Sequence, residues 1–179
     1  MRVEWDGART RDFWADRWDV ASKEVEDWEG EDKGSMLDQG VHLATTWRED
    51  VGTKFLPVDT KFYFELPSQD WILNGEIDTI GRPINEAHLD PIAADTKTTK
   101  RKWQLKKVLE EDQPVAYSLA LQHSPQISAR IDIFQYQVMV RKNTKSRGPE
   151  AESQIMNRPV DQRERAGYVL RLPMARTQI

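Results

Sequence analysis

Cysteine is absent from all 179 residues of this chain. Its absence excludes disulfide bonds, thiolate zinc sites and iron–sulfur clusters, and it is compatible with a reducing cytoplasm. Long apolar runs are also missing, since no stretch approaches the roughly 18 apolar residues that a membrane span needs. The N-terminal segment MRVEWDGARTRDFW contains no apolar core of a secretory signal. We therefore expect a cytoplasmic protein with no membrane partner, folded as a single domain over residues 1–179.

The charges are unevenly distributed along the chain, although the net charge is only -4. Residues 1–94 contain 10 lysines and arginines against 21 aspartates and glutamates, a balance of -11. Residues 95–179 contain 16 against 9, a balance of +7. The basic half of the sequence therefore suits an anionic partner, and the acidic half suits metal cations.

The spacing of apolar residues predicts an α/β chain. Helical intervals occur in residues 8–29, 35–50 and 101–122. Ser35 is the predicted N-cap of the second helix, and Pro114 predicts a kink or a break in the third. Alternation of apolar and polar residues predicts strands at 61–66, 71–80, 91–98 and 129–141, with a turn at 67–70. Residues 142–154 are predicted to be a polar linker, and the pattern of 163–179 favours neither structure. The predicted order is α, α, β, β, β, α, β.

A charged pair follows the apolar run of the third predicted strand. Asp95 and Lys97 are two residues apart, so a strand would point both side chains to one face, about 6.6 Å apart along it. Asp78, late in the preceding strand, would lie alongside them. Two converging carboxylates suit a hard divalent cation such as Mg²⁺, and the lysine suits a reacting water or a charged phosphoryl group. The pattern predicts metal-dependent phosphodiester cleavage, and a surface ion pair is the alternative.

These residues resemble the PD-(D/E)xK nuclease signature, and further motifs within residues 35–141 resemble its RecB-like exonuclease branch. Residues 75–78, GEID, are similar to the Gly-x-x-Asp motif of the branch, and DTK follows at 95–97. GVH at 40–42 resembles its Gly-x-x-His motif with one residue fewer, and QPVAY at 113–117 fits Gln-x-x-x-Tyr. The resemblance implies a restriction-endonuclease-like core, in which a central mixed sheet of about four strands is flanked by helices.

The resemblance also implies the roles of individual residues. Asp78 and Asp95 would bind Mg²⁺ or Mn²⁺, and the further ligands it implies are His42, Glu65 and the carbonyl of Thr96. The catalytic set it implies is Asp78, Asp95, Lys97, Gln113 and Tyr117. Lys97 would act on the attacking water or the phosphate, and Gln113 and Tyr117 would hold the site lysine or contact the DNA. Glu76 is a second candidate ligand.

A basic cluster follows directly on the Asp-x-Lys motif. Its members, predicted to contact DNA phosphates in preference to forming an ordinary solvated helix face, are Lys100, Arg101, Lys102, Lys106 and Lys107. Trp103 lies among them and is a candidate for base stacking, with core packing as its more ordinary role.

Three functions are consistent with these motifs. The first is a RecB-like exonuclease in recombination, repair or phage DNA processing, for which the resemblance allows a helicase or annealing protein as a partner. The second is an endonuclease with the same chemistry. The third is a non-catalytic relative that binds DNA or protein, against which the intact Asp78, Asp95 and Lys97 argue.

Overall fold

The computed structural model describes residues 7–24, 32–67, 72–86, 90–124, 131–144 and 148–175. Five α-helices and five strands lie within these residues. The helices are α1 Gly7–Ala21, α2 Lys33–Trp47, α3 Leu105–Glu110, α4 Gln113–Gln122 and α5 Gln162–Ala175. The strands are β1 Phe55–Pro67, β2 Ile72–Pro83, β3 Ile92–Thr99, β4 Ile133–Thr144 and β5 Gly148–Pro159. Among the described helices, none is long and apolar enough to cross a membrane.

The five strands form one sheet in the order β1-β2-β3-β4-β5. β1 and β2 pair antiparallel, with Phe64 opposite Gly75, and β2 and β3 pair antiparallel, with Ile80 opposite Ala93. β3 and β4 are neighbours joined through α3 and α4, which is the kind of connection that a parallel pair requires. The sheet is therefore mixed, and it has one strand more than the sequence predicted.

The chain divides into two compact units. The first contains Met1–Thr53, Thr98–Lys102 and Val138–Gln154. In this unit α1 packs on α2 at Gly40, where a Cβ would overlap the indole of Trp14. The glycine of the GVH motif thus has a packing reason of its own.

The second unit contains Lys54–Lys97, Trp103–Gln137 and Ile155–Ile179. Its largest fully buried side chains come from β2, α4 and β4, and they include Ile77, Ile80, Leu121, Phe134 and Tyr136. The buried Arg165 of α5 donates hydrogen bonds to Ser118 Oγ at 2.8 Å and to Asp132 Oδ1 at 3.0 Å, which joins α5 to α4 and to the start of β4. The single-domain organisation stays a prediction.

Several local predictions can be compared with these elements. The break near Pro114 is confirmed, because α3 ends at Glu110 and α4 begins at Gln113. Asp32 and not Ser35 is the N-cap of α2, and its carboxylate accepts a hydrogen bond from the Ser35 N–H at 2.7 Å. The predicted end of the first helix beyond residue 24 lies outside the described residues, as do residues 68–70 of the predicted turn at 67–70.

The prediction of a polar linker at 142–154 was wrong. The described part of this range ends β4 at Thr144 and begins β5 at Gly148, and β5 lies at the edge of the sheet. An edge strand has one neighbour and tolerates polar side chains, so its sequence lacks the apolar alternation of a central strand. The segment 163–179, for which the pattern favoured neither structure, contains most of α5.

Candidate active site

Asp95 is the buried centre of the candidate site, and only 3% of it is exposed. It follows the buried residues Ile92, Ala93 and Ala94 of β3, which carry the strand into the core. Lys97 Nζ lies 3.0 Å from Asp95 Oδ1 and 2.8 Å from Oδ2. The structure therefore brings the two charged side chains together on one side of β3, as strand alternation requires.

Asp78 of β2 approaches the same place. The pairing of Thr79 with Ala94 makes Asp78 and Asp95 the next residues along the two antiparallel strands. Asp78 Oδ2 accepts a hydrogen bond from the Thr96 N–H at 3.0 Å. Burial raises the pKa of Asp95, and the negative charge of Asp78 adds to this rise, whereas Lys97 acts in the opposite direction. Two carboxylates thus lie close together, and ionising both is unfavourable without additional positive charge.

The second oxygen of Asp95 is suited to a metal ion. Oδ2 is buried and accepts no hydrogen bond from the described residues, although the ammonium of Lys97 lies beside it. No three His, Asp or Glu side chains converge as a complete metal cage in the part of the chain that the structure describes. Mg²⁺ keeps several waters and is commonly held by one or two carboxylates, so Asp78 and Asp95 fit such an ion.

Two polar residues of α4, one turn apart, connect β3 to β2. Gln113 Nε2 donates hydrogen bonds to Asp95 Oδ1 at 2.9 Å and to the Tyr117 hydroxyl at 2.8 Å. The Tyr117 hydroxyl donates to the backbone carbonyl of Glu76 at 2.6 Å. Burial raises the pKa of Tyr117, which keeps the proton that this hydrogen bond needs. Gln113 therefore orients Asp95, and Tyr117 orients Gln113.

Gly75 makes room for the aromatic ring that supports Tyr117. The rings of Phe64 and Tyr117 meet edge to face, with their centroids 5.7 Å apart. A Cβ on Gly75 would lie 2.8 Å from Phe64 Cζ, closer than ordinary van der Waals contact. The glycine of the Gly-x-x-Asp motif is thus explained by the packing of Phe64 against the strand.

Gly75→Ala is expected to destabilise the protein by about 1–3 kcal/mol, because the added methyl group displaces the ring of Phe64. Urea denaturation measures this loss. Gly167→Ala in α5 is the matched control, since its Cβ would meet no atom closer than 3.9 Å, and a helical alanine keeps or raises stability. An equal loss in both variants would contradict the close packing at Gly75.

Two predicted ligands of the second unit, Glu65 and Glu76, are not brought to Asp78 and Asp95. Glu65 is exposed on β1 and lies opposite Asn74, which is about 13 Å along β2 from Asp78 at the usual rise of a strand. The carboxylate of Glu76 pairs with Lys61 at 3.4 Å, and only its backbone carbonyl contacts Tyr117. His42 is exposed on α2 of the first unit. The ligand roles of these three residues stay predictions.

The predicted DNA-binding residues differ in what they contact. In the first unit Lys102 pairs with Glu152, which also pairs with Lys142. In the second unit Lys106 is 79% exposed and lies 3.7 Å from Glu110. The remaining predicted members are Lys100, Arg101 and Lys107, of which Lys100 and Arg101 belong to the first unit.

The indole of Trp103 is engaged within the second unit. The ammonium of Lys107 lies over it, 4.0 Å from the ring centroid. Trp103 also contacts the ring of Tyr136, with the centroids 5.0 Å apart. These contacts favour a packing role for Trp103 over base stacking, and they occupy the charge of Lys107 with a cation–π interaction.

Sequence reasoning missed Gln137, which contacts the residue between Asp95 and Lys97. Gln137 Oε1 accepts a hydrogen bond from the Thr96 hydroxyl at 3.2 Å, and only 2% of Gln137 is exposed. The available signal was the pair of glutamines, Gln135 and Gln137, that alternate with apolar residues in β4. Alternation puts these amides on the face opposite Phe134 and Tyr136, and the structure buries them there.

Comparison with known proteins agrees with this architecture. A family model of the PD-(D/E)XK nuclease superfamily matches residues 2–176. No curated protein matches the chain. Among solved structures, that of a candidate exonuclease from Eubacterium rectale matches with a TM-score of 0.57 and 12% identity, over 99% of this chain and 68% of that one. This likeness concerns the fold, and the predicted α/β fold with a restriction-endonuclease-like core is confirmed.

Proposed function

Because the chain belongs to the PD-(D/E)XK nuclease superfamily, we propose that it is a metal-dependent deoxyribonuclease of the RecB-like exonuclease type. The observation that carries this proposal is the convergence of Asp78, Asp95 and Lys97 from two adjacent strands. The pathway consistent with this activity is recombination, repair or phage DNA processing. Mg²⁺ or Mn²⁺ would be held by Asp78, Asp95 and the carbonyl of Thr96, with His42 as a further candidate ligand.

Each side chain around Asp95 has a separate role in the proposed reaction. When bound, a divalent cation lowers the pKa of a coordinated water and stabilises negative charge on the phosphate. Gln113 holds Asp95 Oδ1, and Oδ2, which lies 2.8 Å from the Lys97 ammonium, is the oxygen that would bind the ion. The side chain of Lys97 is 37% exposed, so its ammonium can also reach the attacking water or a phosphate oxygen. Tyr117 fixes Gln113 through the Glu76 carbonyl.

Linear and closed circular DNA, each incubated with Mg²⁺, Mn²⁺ or EDTA, test the proposal. We expect loss of linear DNA with either metal and no loss in EDTA. Nicking of the circular DNA would indicate an endonuclease of the same chemistry and not an exonuclease. The absence of cleavage with both metals would overturn the nuclease proposal and favour a relative that only binds DNA or protein.

Lys106→Ala is expected to weaken DNA binding and to reduce the slope of log affinity against log salt by about 1, because one phosphate contact is lost. Lys106 is an exposed member of the basic cluster that α3 carries, and it lies 3.7 Å from Glu110. Fluorescence anisotropy with a labelled duplex in EDTA measures both quantities.

Lys23→Ala is the matched control for this measurement. Lys23 is likewise an exposed lysine that pairs with an acid four residues away, Asp19, at 2.9 Å, and it lies just after the end of α1. Its replacement should leave the salt slope unchanged. The same change in both variants would show that the effect depends on total charge and not on a DNA path along α3.

A further inference from the structure

Gln137 lies in β4 among apolar residues, and only 2% of it is exposed. Burying an amide is unfavourable unless its polar atoms find partners. Gln137 accepts a hydrogen bond from the Thr96 hydroxyl at 3.2 Å and donates one to Gln135 Oε1 at 3.1 Å. Gln135 donates in turn to Asn157 Oδ1 at 3.0 Å. A line of hydrogen-bonded side chains thus crosses from β5 through β4 and ends at Thr96 of β3.

Thr96 touches both halves of the candidate metal site. Its neighbours in the chain are Asp95 and Lys97, and its N–H donates the hydrogen bond to Asp78. Successive side chains of a strand point to opposite faces. Holding the Thr96 hydroxyl therefore also restricts the directions in which Asp95 and Lys97 point. The same restraint orients the N–H that holds Asp78.

The hydrogen bonds of this line run in one direction. Because Gln135 accepts from the amide NH₂ of Gln137, Gln137 presents its carbonyl oxygen to Thr96. Asn157 accepts from Gln135 in the same way. A leucine at position 137 would have a similar volume but could not make these contacts. The polar atoms of Gln137 thus link Thr96 to Gln135, which an apolar residue of the core could not do.

We propose that Gln137 is a positioning residue for the metal site, where it holds Thr96 and thereby sets the spacing of the Asp78 and Asp95 carboxylates. This inference rests on the proposed function, because the ion is the one that the nuclease chemistry would use. Gln135 and Asn157 support Gln137 from the neighbouring positions. Removing a residue that orients metal ligands typically costs about 10–100-fold in metal affinity or activity.

Gln137→Leu tests the inference, with Mn²⁺ binding measured by calorimetry and the metal dependence of cleavage measured in parallel. We expect the metal concentration for half-saturation to rise about tenfold or more, and saturating metal to restore most of the cleavage rate. A merely structural role would lower the melting temperature and leave the metal affinity unchanged, and that result would overturn the inference.

Ser118→Ala is the matched control for lost stability. It removes a buried hydroxyl that bonds to the Ile131 carbonyl at 3.0 Å and to Arg165 at 2.8 Å. We expect a lower melting temperature with an unchanged metal affinity. If Ser118→Ala weakened Mn²⁺ binding as much as Gln137→Leu, general loosening of the protein would explain both, and the inference would fail.

Thr96→Val separates the route through Thr96 from any other effect of Gln137, because it removes the hydroxyl and keeps the N–H and the carbonyl. If Gln137 acts through Thr96, the double variant loses no more metal affinity than the more affected single variant. Fully additive losses would overturn this route.

A wild-type protein that binds Mn²⁺ without cleaving DNA would contradict the proposed function alone. A wild-type protein that binds no metal would overturn both the proposed function and the positioning role of Gln137.

Discussion

Asp95→Asn is expected to abolish metal-dependent cleavage, with a loss of about 10³-fold or more in kcat. The reason is that the ion contributes several kcal/mol of charge stabilisation, and each 1.36 kcal/mol is about tenfold in rate. Asp95 Oδ2 is the buried oxygen that accepts no hydrogen bond from the described residues. Replacing the carboxylate with an amide removes the negative charge that the ion requires.

The same substitution should leave the metal-free protein at least as stable as the wild type. Burial raises the pKa of Asp95 above the usual 3.8, with a further contribution from Asp78. A carboxyl group whose pKa is raised by folding stabilises the folded state while it is protonated, and that contribution is lost as the pH rises through the folded-state pKa. At neutral pH the ionised Asp95 is therefore unfavourable, and asparagine avoids this penalty. The difference in stability between Asp95→Asn and the wild type should narrow as the pH falls toward 3.8, because Asp95 becomes protonated.

Cleavage assays measure the loss of activity. Melting curves in EDTA and in Mg²⁺ measure the stability of the metal-free protein and the effect of the metal. A ligand that binds only the folded state raises its melting temperature, so Mg²⁺ should stabilise the wild type and leave Asp95→Asn unchanged. Asp112→Asn is the matched control, since Asp112 is an exposed aspartate that pairs with Arg171 at 2.8 Å. Full cleavage by Asp95→Asn would remove the proposed mechanism. A strong loss of stability in EDTA would instead identify Asp95 and Lys97 as a structural ion pair.

Lys97→Gln is expected to lower kcat by about 10²–10³-fold while metal binding stays the same or becomes tighter. The ammonium of Lys97 lies 3.0 Å from Asp95 Oδ1 and 2.8 Å from Oδ2, where it competes for the charge that an ion would use. Removing it leaves both oxygens of Asp95 more available to the ion. It also removes the positive charge that would act on the water or the phosphate.

Cleavage rates at saturating Mn²⁺, together with calorimetric Mn²⁺ affinities, separate these two effects. Lys61→Gln is the matched control, because Lys61 is a 75% exposed lysine that pairs with Glu76 at 3.4 Å. It should change neither quantity. Weaker metal binding with an unchanged kcat in Lys97→Gln would assign Lys97 to holding Asp95 and not to the reaction.

Much of the fold followed from local patterns in the sequence. The central strands and the break before α4 depend on apolar periodicity and on proline, whose effects act within a few residues. β5 was missed because an edge strand needs little apolar alternation. The segment of α5 showed no clear pattern, and its buried Arg165 is held by Ser118 and Asp132, which are remote in the sequence.

The candidate site likewise has some features that the sequence predicted and others that depend on the tertiary structure. By itself the sequence determined that Asp95 and Lys97 meet, because the backbone of any strand points residues two apart to the same face. Only the tertiary structure decided that Gln137 holds Thr96, that Phe64 requires Gly75, and that Glu65 lies well along the strands from Asp78. Such contacts depend on strand register and on the packing of α4. Register and packing are set by the whole core, whereas the spacing of residues within one segment reports only on that segment.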